Sequence, residues 1–326
     1  MENLKKRFPF PCSWIVFDLI RDAGIHFIHE TGRMDHQEQT TGDLLRRVVP
    51  LIALIWVLLP LTFFVPWLNS TAPPYFDLTG WIGTVAHRLA LSAGGDWGPR
   101  VVLFLIFVLV SRPGLSIKRR VVEVVVVGLA VLVLQGGGSV FNEVVIKRTF
   151  KEPRPHVKQL ARTPPDAPLD RSVLKISPDS LYRLDRRARR AYLQEISGYN
   201  ELVSPGSSRQ FCFEEYGEAL RLNHRVCRHW ASTTGGFSFP SGHAFSALFM
   251  AAFWGGMALS VLSGWRLWFF QFLVVPWTVL VAYCRVVLRV HSPLDISVGG
   301  LLGILFGLVA LVLVVTVLKR VGGKGK

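Results

Sequence analysis

Cysteine is scarce in this chain, four in 326 residues, and the four carry no metal-binding spacing. No metal and no cofactor is therefore expected. Acidic residues are in the minority, 22 Asp and Glu against 37 Lys and Arg, which leaves a formal net charge of +15. That excess first suggests nucleic acid, but the placement of the basic residues answers it otherwise, as set out below. The first forty-odd residues lack an apolar core followed by small residues, so no cleavable signal peptide is expected and the first apolar run should stay as an anchor. Internal repeats are absent, and low complexity is confined to valine-rich helix interiors.

Long hydrophobic runs are what the chain does have. Half its residues are apolar and its mean hydropathy is +0.37. Blocks near twenty residues read as membrane spans. Strong candidates are 48–68, 121–141, 244–263, 268–288 and 294–318. A weaker one, 97–111, carries Arg100 near an end, where it can snorkel to the interface. Residues 78–94 are short and amphipathic and read as a helix lying on the membrane surface. The fold class expected is all-α, a polytopic membrane bundle of six transmembrane helices with a periplasmic insertion between the third and fourth.

The basic residues fit that plan. Lys5, Lys6, Arg7, Arg46 and Arg47 precede span one. Arg112, Lys118, Arg119 and Arg120 join spans two and three. Arg266 joins four and five, and Lys319, Arg320, Lys324 and Lys326 end the chain. These are alternate sides of a six-span bundle, and positive loops stay in the cytoplasm. Both termini are then cytoplasmic, and no nucleic-acid partner is expected. The parts are a cytoplasmic arm (1–47), spans one to three (48–155), the insertion (156–239), spans four to six (240–318) and a cytoplasmic tail (319–326).

The insertion is rich in charge, proline and serine. Its segment 178–196 reads as a helix capped by Asp179 or Ser180, with arginines along one face. Three readings of the insertion stand: a cap over a site, a basic surface against anionic headgroups, or a solvated spacer. Cys212 and Cys227 lie in it, outside the cytoplasm on this topology, where a disulfide between them would persist.

The polar residues that interrupt the apolar pattern fall on one membrane face. Lys147, Arg154 and Pro155 follow span three. Pro240, Ser241, Gly242 and His243 open span four. Arg285, Arg289 and His291 close span five, and Asp295 opens span six. Three fixed cations, Lys147, Arg154 and Arg285, can surround one dianion, and the arginine fork matches phosphate oxygens. Ser241 and Gly242 begin a helix whose first amides have no helical acceptor and whose dipole favours an anion. Glycine there lets an oxyanion approach the backbone. His291 and Asp295 suit an oriented nucleophile, and His243 a proton donor.

Plainer readings exist for each residue. Ser292-Pro293-Leu294-Asp295 is a good helix start, with Ser292 as cap and Asp295 as the capping-box acid. His243 alone reads as an interfacial histidine, and Arg285 can snorkel. Arg148, Lys151 and Arg289 read as ordinary flanks. The joint placement on one face is what departs from these, because charge in a membrane is costly and marks function.

KRTFKEPRP (147–155), PSGH (240–243) and CRVVLRVHSPLD (284–295), in that order and with those internal spacings, resemble the type 2 phosphatidic acid phosphatase superfamily, which also includes the vanadium haloperoxidases. The likeness covers the motifs and the six-span plan, not the arm or the insertion. It implies that Lys147, Arg154, Ser241, Gly242 and Arg285 bind phosphate. It further implies that His243 is the general acid, His291 the nucleophile that becomes a phosphohistidine, and Asp295 its orienting partner. One position departs: the third motif usually begins Ser-Arg, and here Cys284 precedes Arg285, which puts a supporting contact in doubt. Among members, the plan resembles bacterial phosphatidylglycerophosphatase B and the undecaprenyl pyrophosphate phosphatases.

The expected activity is metal-independent hydrolysis of a membrane lipid's phosphomonoester or pyrophosphate headgroup, undecaprenyl pyrophosphate or phosphatidylglycerophosphate, at the periplasmic face of a bacterial inner membrane. A rival enzyme reading is a phosphotransferase with a polyprenyl pyrophosphate donor. A rival of another class is an anionic-lipid transporter. Spans four to six hold almost no ionisable group at mid-membrane, which argues against a transport path.

Overall fold

The computed structural model describes residues 48–323 apart from 50, 51, 53, 57, 60–75, 93–96, 162–173, 197–210, 214–220 and 234. The expected arm, the upper half of span one and the chain's last three residues lie outside the described residues. Val48–Lys326 forms one compact unit. The described residues are mostly helical, and four helices are long and apolar enough to cross a membrane: Ile117–Leu160, Gly242–Val261, Gly264–Val287 and Pro293–Val321. Span one is represented by helical residues between 48 and 59.

Helix α1 (Trp81–Ser92) packs its small face, Gly83, Ala86 and Ala90, inward. Helix α2 (Trp97–Val110) has 14 residues, about 21 Å of rise, less than the roughly 30 Å of a bilayer's hydrocarbon core. The weak second span is thus a short apolar helix.

Helix α3, over 117–150, runs well past the expected 121–141. Ser116 caps it by accepting the Arg119 N–H. Two π turns, Val131–Gly136 and Asn142–Ile146, interrupt its α geometry. Each shifts the faces presented beyond it, and π turns recur at functional sites. The Gly136-Gly137-Gly138 run stays helical, and of the three only Gly138 meets a close neighbour. A Cβ at Gly138 would stand 2.4 Å from the Phe245 ring. The start of α3 holds Glu123 between Arg112 (2.6 Å) and Arg119 (3.1 Å). Arg119 also reaches the Leu318 carbonyl near the chain's end. Lys147 lies at the other end of α3, about 40 Å of helical rise away.

After α3 the chain turns at Lys151, in the left-handed region at φ 50°, and enters α4 (Pro155–Leu160). The predicted helix over 178–196 is two helices, α5 (Pro178–Arg183) and α6 (Arg186–Ile196). Ser177, not Asp179 or Ser180, caps α5, and Asp185 restarts the chain by accepting the Arg187 and Ala188 amides. Each such cap contributes about 1 kcal/mol. A two-residue hairpin pairs β1 (Phe211–Cys212) with β2 (Leu222–Asn223), antiparallel, ahead of α7 (His224–Thr233). Cys212 is disulfide-bonded to Cys227 on α7.

The described part of the insertion is folded rather than a spacer. Leu160, Leu181, Leu193, Leu222, Val226 and Trp230 share one apolar core with Leu288 and Val290 of the third motif. The insertion is therefore built onto the end of span five.

Helices α8 (Gly242–Val261), α9 (264–287) and α10 (Pro293–Gly323) make the centre. α8 is enclosed along most of its length, and its most extensive partner is α10. Gly299, Gly303 and Gly307 of α10 explain the closeness. A Cβ on them would stand 2.3 Å from the Ser241 carbonyl oxygen, 2.1 Å from that of Phe245 and 2.8 Å from that of Phe249. Small residues every fourth position let two membrane helices touch backbone to backbone. Outward, Leu103, Phe107, Leu132, Val133, Phe272 and Leu273 are exposed, an apolar belt suited to lipid.

Candidate active site

The three motifs meet at one end of the bundle, stitched by backbone bonds. The His156 amide donates to the Arg289 carbonyl at 2.9 Å, tying motif one to motif three. The Ser241 amide donates to the Asp295 carbonyl at 2.9 Å, tying two to three, and the Ser238 amide to the Glu152 carbonyl at 2.8 Å, tying one to two. Arg289 makes its turn in the left-handed region, at φ 57°. These ties set the side chains of distant segments side by side.

Arg154 is 6% exposed. Its Nε donates to the Gly236 carbonyl (2.9 Å) and its Nη1 to the Val290 carbonyl (3.2 Å). The same Nη1 lies 3.3 Å from His291 Nε2. A guanidinium has no acceptor, so the imidazole nitrogen turned to it carries the lone pair. The other ring nitrogen, Nδ1, lies 3.4 Å from Ser238 Oγ and 3.6 Å from Asp295 Oδ2. Its proton thus points at the serine and carboxylate. Burial first, then Arg154, Arg285 and Lys147, holds His291 well below the ordinary imidazole range, so the ring is neutral near pH 7.

Asp295 Oδ2 has two further partners. It accepts from Ser238 Oγ and from the Ser292 amide (2.8 Å), while the Asp295 amide donates to Ser292 Oγ (3.1 Å). The capping box is therefore present, and the same carboxylate faces His291. Ser238, fully buried, stands between the pair and was missed in the sequence. A lone serine two residues before Pro240 carries no spacing signal.

Ser241 caps α8 by accepting the Ala244 amide at 3.3 Å. The Gly242 and His243 amides above it have no acceptor within the helix. A Cβ on Gly242 would sit 3.9 Å from Lys147 Nζ and 3.7 Å from Asn142 Nδ2. The first amides of α8 and the Lys147 ammonium thus line the same small space. Lys147 is paired to Glu143 at 2.7 Å. His243 has Arg285, Lys147, Arg154 and the neutral His291 imidazole as neighbours. Arg285 is 1% exposed, and its Nη1 lies 2.8 Å from His229 Nε2 on α7. Its Nε has no acceptor among the described residues.

The structure thus places Lys147, Arg154, Ser241, Gly242, His243, Arg285, His291 and Asp295 together. Cys284 is apart: its Sγ donates to the Val281 carbonyl (3.0 Å), and the side chain packs in the apolar core shared with the insertion. The departure from Ser-Arg removes no contact to the cup. Cys212 and Cys227 lie in that same core, not in the cup. Among the described residues no group of three or more His, Cys, Asp or Glu is arranged to hold a metal ion.

Three cations, a helix start and two imidazoles thus line one small space. No curated protein matches the chain. The family model described as the PAP2 superfamily matches residues 121–319, from the start of α3 to the end of α10. That is well over half of the sequence and takes in all three motifs, and on it the chain belongs to the PAP2 superfamily.

Proposed function

We propose that this chain is an integral-membrane lipid phosphatase acting through a phosphohistidine. The observation that carries the reading is the orientation of His291: Nδ1 toward Asp295 and Ser238, Nε2 toward the Arg154 guanidinium 3.3 Å away. A phosphoryl group held by that guanidinium is presented to the ring's lone pair. His291 Nε2 attacks phosphorus while the bond to the leaving oxygen breaks, and His243 gives that oxygen its proton. Asp295 stabilises the cationic ring that forms. Water then attacks phosphorus, His243 takes the water's proton, and the Nε2–P bond breaks to release inorganic phosphate. Lys147, Arg154, Arg285 and the first amides of α8 neutralise the equatorial oxygens, so catalysis is positioning plus charge stabilisation.

Where the cup lies supports a lipid substrate. It stands at the end of four apolar helices, an arrangement in which acyl or prenyl tails stay in the bilayer while the headgroup enters. Undecaprenyl pyrophosphate and phosphatidylglycerophosphate both fit that description. The basic cluster of Arg112, Arg119 and Arg266 at the far end of the bundle supports a cytoplasmic far end, cytoplasmic termini and a periplasmic cup in a bacterial inner membrane.

The test is a lipid panel with purified protein in detergent, reading free phosphate. The panel holds phosphatidate, phosphatidylglycerophosphate, diacylglycerol pyrophosphate and undecaprenyl pyrophosphate. Phosphate release that vanishes in His291→Ala supports the reading, and near-normal release from that variant sinks it. Transfer of labelled phosphate to a second lipid without release would instead make the chain a phosphotransferase.

A further inference from the structure

We infer that His229, contributed by the insertion, is a positioning residue that holds Arg285 of the third motif in place for phosphate. The inference rests on the phosphate cup proposed above. His229 is 8% exposed, and its Nε2 lies 2.8 Å from Arg285 Nη1. Arginine has only donors, so Nε2 accepts and the ring proton sits on Nδ1. Burial first, then Arg285, His87, His243 and Arg154, keeps this imidazole well below its ordinary range and therefore uncharged. On its own helix, Arg225 and Arg228 are the other cationic residues.

Arg285 needs such a partner. Its side chain is buried, no carboxylate pairs with it among the described residues, and its Nε has no acceptor there. A neutral acceptor fixes one Nη1 hydrogen and leaves the guanidinium's positive charge and remaining donors for an anion. A carboxylate in the same place would cancel that charge and weaken phosphate binding. Histidine therefore orients Arg285 without neutralising it.

Two ties set α7 over the end of α9, and two more fix α7 to its other neighbours. His229 meets the Arg285 side chain. The adjacent Trp230 donates from Nε1 to the Leu288 carbonyl at 2.8 Å. Cys227, two residues before His229, is bonded to Cys212 of the hairpin. His87 of α1 packs edge-on to the His229 ring, with centroids 5.3 Å apart. The insertion thus supplies a hydrogen-bond acceptor to a motif arginine through a residue outside all three motifs.

The test uses the purified full chain in detergent, with equilibrium dialysis of orthovanadate and phosphate release on the preferred lipid. His229→Ala should weaken vanadate binding and raise KM by roughly tenfold, with a smaller effect on kcat. His229→Gln, whose Oε1 falls near the Nε2 position, should restore most of that loss. Arg285→Ala should lose vanadate binding outright. Wild-type affinity in His229→Ala, beside a weak Arg285→Ala, overturns the inference and leaves the phosphatase reading intact. Wild-type affinity in Arg285→Ala overturns the cup itself. If the alanine variant fails to fold, judged by thiol titration of Cys212 and Cys227, the glutamine variant decides: a folded His229→Gln with lost affinity overturns the inference, and retained affinity supports it.

Discussion

Ser238 Oγ donates to Asp295 Oδ2 and lies 3.4 Å from His291 Nδ1, so a hydroxyl stands between the candidate nucleophile and its carboxylate. Asp295 itself is 3.6 Å from that nitrogen. Ser238→Ala removes the bridge and leaves Asp295 Oδ2 with the Ser292 amide alone. The expected outcome is a kcat lower by about 10- to 100-fold with KM little changed, since orientation of the ring is lost and the phosphate ligands are not. Steady-state phosphate release checks it, and an unchanged kcat contradicts it.

Arg154 spends two donors on the Gly236 and Val290 carbonyls, and its Nη1 also faces His291. Lysine keeps the charge but not the fork. Arg154→Lys should weaken vanadate binding by about tenfold or more, and leave the buried Val290 carbonyl without its guanidinium donor. Dialysis against vanadate measures the first effect and thermal unfolding the second.

Gly303 and Gly137 make a contrasting pair. A Cβ at 303 would stand 2.1 Å from the Phe245 carbonyl, whereas at 137 nothing lies within 4 Å. Gly303→Ala should destabilise by about 1–3 kcal/mol and displace the start of α8. Gly137→Ala should be neutral or stabilise by up to about 1 kcal/mol through helix propensity. Unfolding temperatures in detergent that rank the two the other way would show that the α8–α10 approach is not as close as described.

His291 and His229 are both held well below the ordinary imidazole value of 6.5, chiefly by burial. Above that value each ring is neutral in folded and unfolded chain alike, and stability does not vary on their account. Below it the unfolded chain takes up protons that the folded chain refuses. Stability should therefore fall as pH drops from about 6.5, by up to about 1.4 kcal/mol per unit for each group. Unfolding temperatures from about pH 8 down to about pH 5 read this directly, and a flat profile contradicts it.

Cys284 bonds the Val281 carbonyl of its own helix and faces the apolar core. Cys284→Ser keeps a donor of nearly the same reach, so phosphate release should stay within about twofold of the parent. Release should also persist in chelator, because Lys147, Arg154 and Arg285 neutralise the phosphate's charge without a metal. Restoration of a chelator-abolished activity by zinc or magnesium would overturn that metal-free scheme.

Some of this was legible before any coordinates. Spans show because twenty apolar residues are a local property of the chain. The motif residues show because their spacings place functional groups at span ends. What the linear pattern hid has a common cause. The π turns at Val131–Gly136 and Asn142–Ile146 alter register without altering composition. The split of 178–196 at Asp185 depends on which of several polar residues wins the cap. The second span falls short because its apolar run, though dense, is brief.

The sequence by itself determined the apolar segments, the order and spacing of three polar motifs, and the motif cations Lys147, Arg154 and Arg285 that make an anion the natural ligand. Only the tertiary structure decided which nitrogen of His291 faces Arg154, that Ser238 bridges to Asp295, and that His229 reaches Arg285 from 56 residues away. Periodicity and capping act over a few residues and leave a trace in the chain. A contact between segments is fixed by how helices pack, here by Gly299 and Gly303 drawing α10 against the start of α8, and no local pattern encodes its partner.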